Sequence, residues 1–282
     1  MAPGRPDRGC ATRRGRLSYA EVKVSFVLPT RNRASFIRKC LDSCLAQRLD
    51  EPEVIVVDGL STDGTQNILR GYGDLLRWVS ERDAGQSDAV NKGVGLASGT
   101  LIAWINSDDY YPHERVLPRV VEVFEAEPSV DLVYGDGLMV DVGGEPIRPF
   151  RGRPFTSAQQ LLVCPSSPFL QPAVFFRKSL FRDVGGLALD LHYAMDYDLW
   201  IRMWERARSV RYVPATLACG TYHPEAKSIH DMRRQIRELV TLKLRHGRRL
   251  GLTPFEWARA AAGVLALYGY WAVTTLRLRR AV

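Results

Sequence analysis

Apolar runs of five to seven residues alternate with stretches of helical spacing along the first half of the chain. "VKVSFVL" (22–28), "EVIVVD" (53–58), "LRWVS" (76–80), "TLIAWI" (100–105) and "VDLVYGD" (130–136) are nearly continuous apolar runs. That is the pattern of short strands buried on both faces. Between them, Phe36, Ile37, Cys40, Leu41, Cys44 and Leu45 repeat at helical spacing within 34–48. Further helices are predicted near 64–72, over 87–97 and over roughly 113–127. Strands alternating with helices predict an open, mostly parallel, Rossmann-like α/β sheet with right-handed crossovers.

The second half is more mixed. "LMVDVGGEPI" (138–147) predicts a hairpin turning at Gly143-Gly144. "AVFFRKSLFRDVGG" (173–186) reads as strand, helix, then a glycine stop. "DYDLWIRMWERA" (196–207) is an amphipathic helix, and beyond 225 the pattern is helical and basic. Within it, residues 260–276 form 17 uncharged positions closed by "RLRR". That length sits at the short edge for a bilayer span. It suits a helix lying in the membrane interface, anchored by Trp257, Tyr268, Tyr270, Trp271 and arginines. A true span and a helix buried against the domain are the other readings.

Charge sharpens this picture. The chain has 282 residues, 46% hydrophobic and 25% charged, with a formal net charge of +8. Residues 1–16 contribute +4 and residues 231–282 contribute +8, which leaves the middle at −4. The expected organisation is a basic, flexible arm over 1–20, an α/β domain over 21–225 and a basic helical extension over 226–282. Such tails suit an anionic surface, lipid or nucleic acid. The five cysteines show neither metal spacing nor a disulfide framework. The Arg-rich start has no apolar core of a signal peptide. The expectation is a cytoplasmic protein, peripheral at the inner face of the cell membrane.

Candidate chemistry lies in the loops. In open α/β sheets ligands bind beyond the carboxyl ends of the strands. Four polar clusters fall there in succession: "PTRN", "DGLSTDGT", "ERDAGQSD" and "NSDD". Neither a dinucleotide fingerprint nor a P-loop occurs. Asp108 and Asp109 end the fourth run. A carboxylate pair at a strand end either holds a hard divalent ion against phosphates or caps a turn and helix start.

"VSFVLPTRN", "VIVVDGLSTDGT", "DAGQSDAVNKG", "ASGTLIAWINSDD" and "MDYDLWIRM" together resemble the successive motifs of family 2 glycosyltransferases. They come in that family's order, over roughly 22–225. The resemblance implies a GT-A fold, with a nucleotide-binding half to about 136 and an acceptor half after it. It implies that Pro29, Thr30 and Asn32 line the nucleotide pocket, that Asp58 hydrogen-bonds the base, and that Asp83 and Asn91 face the nucleotide and donor sugar. Asp108 and Asp109 match the element that holds Mn2+ or Mg2+ against the diphosphate, and His223 is a further candidate metal ligand. Asp196 matches the general base. Gln171 and Trp200 are candidates for the acceptor side. The sequence departs from the family pattern at three points. Asn106 replaces the leading acid of the metal element, which shifts coordination onto Asp109. Val90 replaces an Arg that often meets phosphate, leaving Lys92 or Arg31 for that contact. Met195 replaces the acid that often precedes the base. Asp198 is expected to be structural, paired with Arg202 one turn on.

The implied reaction moves a sugar from a UDP-, GDP- or dTDP-sugar to a glycan or lipid-linked acceptor, with inversion. A nucleotidyltransferase could use a similar sheet and acids, but "PTRNRA" lacks the glycine-rich loop it needs. A nucleic-acid-binding protein would leave the ordered acidic loops without a purpose.

Overall fold

The computed structural model describes residues 22–49, 52–227 and 231–280, with the side chains of the last helix described to residue 269. The N-terminal arm, Cys10 and His230 lie outside the described residues, as do the side chains of Tyr270 and Trp271.

Eight strands form one sheet: β1 (Val24–Thr30), β2 (Glu53–Asp58), β3 (Arg77–Ser80), β4 (Leu101–Trp104), β5 (Leu132–Val140), β6 (Pro146–Phe150), β7 (Val174–Arg177) and β8 (Val210–Thr221). The order is β3-β2-β1-β4-β7-β5-β6, with β8 pairing β5. The first four strands are parallel, as predicted. Beyond β4 the sheet turns mixed, since β7 runs antiparallel to both β4 and β5. The predicted hairpin is present as β5 and β6, closed by the Gly144 amide donating to the Asp141 carbonyl at 3.0 Å.

The helices are α1 (Ile37–Leu45), α2 (Thr65–Gly71), α3 (Gln86–Leu96), α4 (Val116–Ala126), α5 (Ala158–Leu162), α6 (Lys178–Asp183), α7 (Met195–Arg206), α8 (Met232–Arg249) and α9 (Pro254–Arg280). Alternation along the strands sorts the apolar side chains onto two faces. Phe26, Leu28, Val54 and Val56 join Cys40, Leu41, Cys44 and Phe124 on one face. Val27, Ile55 and Trp104 join Val90, Trp200 and Leu242 on the other. Both faces are covered, which is why the strands read as unbroken apolar runs.

Two elements went unpredicted, α5 and β8. β8 contains Pro214 and carries register shifts against β5 at Asp136 and Gly137, so neither its apolar alternation nor its partner is visible locally. Among the described residues no helix is long and apolar enough to cross a membrane.

Candidate active site

The strand order β2-β1-β4 brings three of the four polar loops side by side at the carboxyl edge. The loops after β1 and β2 are zipped together. The Asn32 amide donates to Ser61 Oγ at 2.7 Å, and Asn32 Oδ1 accepts from the Thr62 amide at 2.9 Å. The Arg33 and Ala34 amides donate to Thr65 Oγ1 at 3.0 Å and Asp63 Oδ2 at 2.9 Å. Asn32 and Leu60 both hold positive φ, 52° and 59°. For leucine that conformation is costly, so the paired loops hold their shape against backbone strain.

Asp58 does not present a carboxylate to this crevice. It is fully buried and accepts from Ser61 Oγ, from the Ser61 amide, from Gln66 Nε2 at 3.1 Å and from Ser80 Oγ at 2.6 Å. The expected contact with the base is corrected on that ground: no oxygen is exposed, and each is already hydrogen-bonded within the fold. Asp58 holds the loop. Asp83 stands beside it instead, filling the space a side chain at Gly59 would need, since a Cβ there would meet Asp83 Oδ2 at 2.5 Å. Asn91 is likewise committed internally. Its amide exchanges two 2.9 Å hydrogen bonds with the Leu187 backbone, and it lies against Gly186, whose φ of +71° and 2.8 Å approach exclude a Cβ. Pro29 and Thr30 end β1 as buried residues, with Thr30 Oγ1 among the buried atoms that have no partner.

The two acids after β4 face different partners. Asp109 is 9% exposed. Its Oδ1 accepts from the Thr221 amide at 3.0 Å and its Oδ2 lies 3.4 Å from Asn106 Nδ2. Burial, with the Asp108 charge added, pushes its carboxyl well above the usual range. Asp108 Oδ2 meets His223 Nε2 at 3.0 Å and Arg33 Nε at 3.9 Å. The acid joined to His223 is Asp108; the metal element read from the sequence comprises both acids, with coordination falling mainly on Asp109.

Asn106, between them and β4, sits in a chain of side-chain amides. Lys227 Nζ donates to Gln86 Oε1 at 3.0 Å, Gln86 Nε2 to Asn106 Oδ1 at 2.7 Å, and Asn106 Nδ2 to Gln171 Oε1 at 3.0 Å. Gln171 Nε2 closes the chain on the Trp104 carbonyl at 2.7 Å. Gln171 thus holds the β4 end from behind, and its amide is spent there rather than on an acceptor.

Asp196 lies in the first turn of α7, which has no side-chain cap. Instead Glu238 Oε2 on α8 accepts the amides of His192, Tyr193 and Ala194 at 2.9, 2.6 and 3.1 Å. Burial raises the Asp196 pKa to about 6, and Lys227 opposes the shift. Burial lowers Lys227 to about 8, with Asp196 pulling it the other way. These two charges therefore neighbour each other, while Lys227 also reaches the amide chain of Asn106. Asp198 bonds Arg202 at 2.7 Å, as the spacing predicted, and also His246 Nε2 at 2.7 Å. Trp200 is corrected: it is fully buried between Trp104 and Phe176, at 6.2 and 5.9 Å, and cannot touch an acceptor. Lys92 pairs with Glu81 at 2.8 Å and with Asp88 at 3.1 Å. Besides Arg31, which lies against Gly59 beside Asp83, Arg33 and Lys227 are cations at the crevice. No local pattern marks either, because the chain fold alone brings them there.

Among the described residues no three His, Cys, Asp or Glu side chains converge to hold a metal by themselves. Asp108 and His223, in hydrogen-bond contact at 3.0 Å beside Asp109, are nonetheless oxygen and nitrogen donors of the kind that would hold a divalent ion together with oxygens of a substrate.

This fold and crevice are those of a GT-A glycosyltransferase. The model of the family described as Glycosyl transferase family 2 matches residues 25–185, and the chain belongs to that family. The PGL/p-HBAD biosynthesis glycosyltransferases of Mycobacterium bovis and Mycobacterium tuberculosis are 34% identical over 205 residues, 71% of this chain and 77% of theirs. Among solved structures, S. aureus TarS in complex with UDP-GlcNAc superposes with a TM-score of 0.60 at 18% identity, covering 86% of this chain and 79% of that one. Mannosyltransferase PcManGT from Pyrobaculum calidifontis, in complex with GDP-Man and Mn2+, superposes with a TM-score of 0.63 at 21% identity, covering 91% and 81%.

Proposed function

We propose that this glycosyltransferase is inverting and metal-dependent, and that it moves a sugar from a UDP-, GDP- or dTDP-sugar to a lipid-linked or glycan acceptor at the inner membrane face. The observation that carries the reading is the Asp108–His223 pair at the end of β4, with Arg33 3.9 Å from Asp108 and Asp196 at the start of α7. The UDP-GlcNAc held by TarS and the GDP-Man held by PcManGT support the donor class, and the place of the mycobacterial relatives in PGL/p-HBAD biosynthesis supports the acceptor class. The donor half runs to about residue 136 and the acceptor half follows it.

Asp108 and His223 would hold Mn2+ or Mg2+, which when bound withdraws charge from a departing diphosphate as a Lewis acid. Arg33 and Lys227 supply fixed positive charge on the two sides of that loop, replacing the cation missing at Val90. The zipped loops of Asn32 and Ser61, with Asp83 at their mouth, frame the base. Asp196 takes the proton from the acceptor hydroxyl as it attacks. A single base opposite the leaving group gives inversion, and general-base help is worth roughly 10²–10⁴-fold. The test is a screen of nucleotide sugars with Mn2+ or Mg2+ for release of nucleoside diphosphate. Release with one donor supports the reading. Equal release after EDTA treatment overturns metal dependence.

A further inference from the structure

Helix α8 has two unlike faces. Leu239, Leu242, Lys243, His246 and Gly247 are buried, with α5 and α9 packed against the helix. The outer face holds Arg233, Arg237, Val240, Leu244 and Arg248, all exposed. At 3.6 residues per turn these five positions fall within an arc of about 80° and run along roughly 22 Å. Val240 and Leu244 are 38% and 43% exposed.

The other arginines of α8 are paired: Arg234 with Glu238, Arg245 with Asp190 and Arg249 with Glu205. Among the described residues Arg233, Arg237 and Arg248 make no ion pair. A solvated helix face usually intersperses acids with its bases, and this arc has none. Arg233 and Arg237 stand one turn apart and repel each other, a cost that a negatively charged partner removes. The adjoining helix continues the theme, with Phe255 and Leu265 each 70% exposed. Beside it, Arg153 and Arg259 line a cavity of about 300 Å³.

We propose that the outer face of α8 docks on an anionic lipid bilayer. The three arginines meet headgroup phosphates, and Val240 and Leu244 enter the boundary of the acyl region. Two exposed aliphatic side chains between cations fit a membrane interface better than a nucleic-acid backbone, which offers them nothing apolar. A second copy of this chain, also at +8, would bring like charge to like charge. The proposal deepens the membrane-face reading above and rests on it only for the acceptor's location. The sugar-transfer chemistry is independent of it.

The experiment uses the full chain and vesicles of phosphatidylcholine, alone or with phosphatidylglycerol. The protein should co-sediment with the anionic vesicles and not with the neutral ones, and added salt should release it. The triple variant Arg233→Gln, Arg237→Gln, Arg248→Gln should partition roughly a hundredfold more weakly, the scale of three basic side chains at an anionic surface. Val240→Ser with Leu244→Ser should also weaken it at constant charge. Melting temperature and donor hydrolysis should match the parent in both. Undiminished anionic-vesicle binding in the triple variant overturns the proposal. So does a parent dimer, seen by light scattering without vesicles, that the triple variant loses. Loss of donor hydrolysis in the parent itself would strike the proposed reaction and leave this surface standing.

Discussion

At the scale of single residues the decisive group is Asp196. Its carboxyl is held at about 6 by burial, so it is ionised, and able to accept a proton, only above that pH. Transfer should rise through about pH 6, and the lower limb of the rate profile should reflect this group. A carboxyl with a raised folded pKa binds its proton more tightly when folded. The stability it contributes is full below the unfolded value near 3.8 and is lost as pH rises through about 6. Asparagine is neutral at every pH, so Asp196→Asn should melt no lower than the parent at pH 7. The same variant should lose transfer by roughly 10² or more with donor affinity kept. Transfer within a few-fold of the parent would move the role elsewhere. Lys227 makes a separate prediction. If its ammonium meets the outer phosphate, Lys227→Met should weaken nucleoside diphosphate binding by roughly tenfold or more and leave nucleoside monophosphate binding unchanged. Equal weakening of both would mean that Lys227 only supports the Gln86–Asn106 amide chain.

At the scale of elements, α8 is what sets Asp196, the proposed base, in place. Glu238 takes three amides ahead of α7, and His246 reaches Asp198 within it. Burial opposes ionisation of Asp198, but the His246 hydrogen bond and the Arg202 charge outweigh it and hold the carboxyl below its usual range. Glu238→Ala should leave three amides without that acceptor and cost about 1–3 kcal/mol of stability, measured by urea unfolding. It should also slow transfer more than it weakens donor binding, because α7 carries the proposed base and the donor loops lie on other elements. None of this was legible in the sequence, where the stretch that forms α8 read only as basic and helical. What was legible had a local cause. The buried parallel strands announce themselves by unbroken apolar runs, and Asp198 and Arg202 by one-turn spacing. The antiparallel β7 and the register-shifted β8 depend on partners far along the chain. The burial of Asp58 and Trp200 does too, so the pattern that marked them could not say which way they face.

At the scale of the whole molecule, the crevice is a meeting place of distant segments: the loop after β1, the loop after β4 and the segment after β8. Arg33, Asp108 and His223 come from these three, and only the complete fold places Arg33 and His223 at 3.9 and 3.0 Å from Asp108. A ligand that binds across them should therefore stabilise the fold as a unit. At a hundred times its dissociation constant a ligand adds about 2.7 kcal/mol, which for a chain of this size raises the melting temperature by several degrees. Nucleoside diphosphate with Mn2+ should produce such a shift, and either alone much less. Asp108→Asn separates this from a structural role. Its side chain is 18% exposed at a strand end, so the unliganded variant should melt close to the parent. Its amide is a poorer ligand for a hard cation than a carboxylate, so the Mn2+-dependent part of the shift should vanish. Asp109→Asn removes a charge that burial already disfavours, and its side-chain oxygen can still accept from the Thr221 amide, so it should melt no lower than the parent and keep the Mn2+-dependent shift. If the two variants behaved in the reverse sense, Asp109 would be the metal-facing acid and the division of roles drawn from the Asp108–His223 contact would fall.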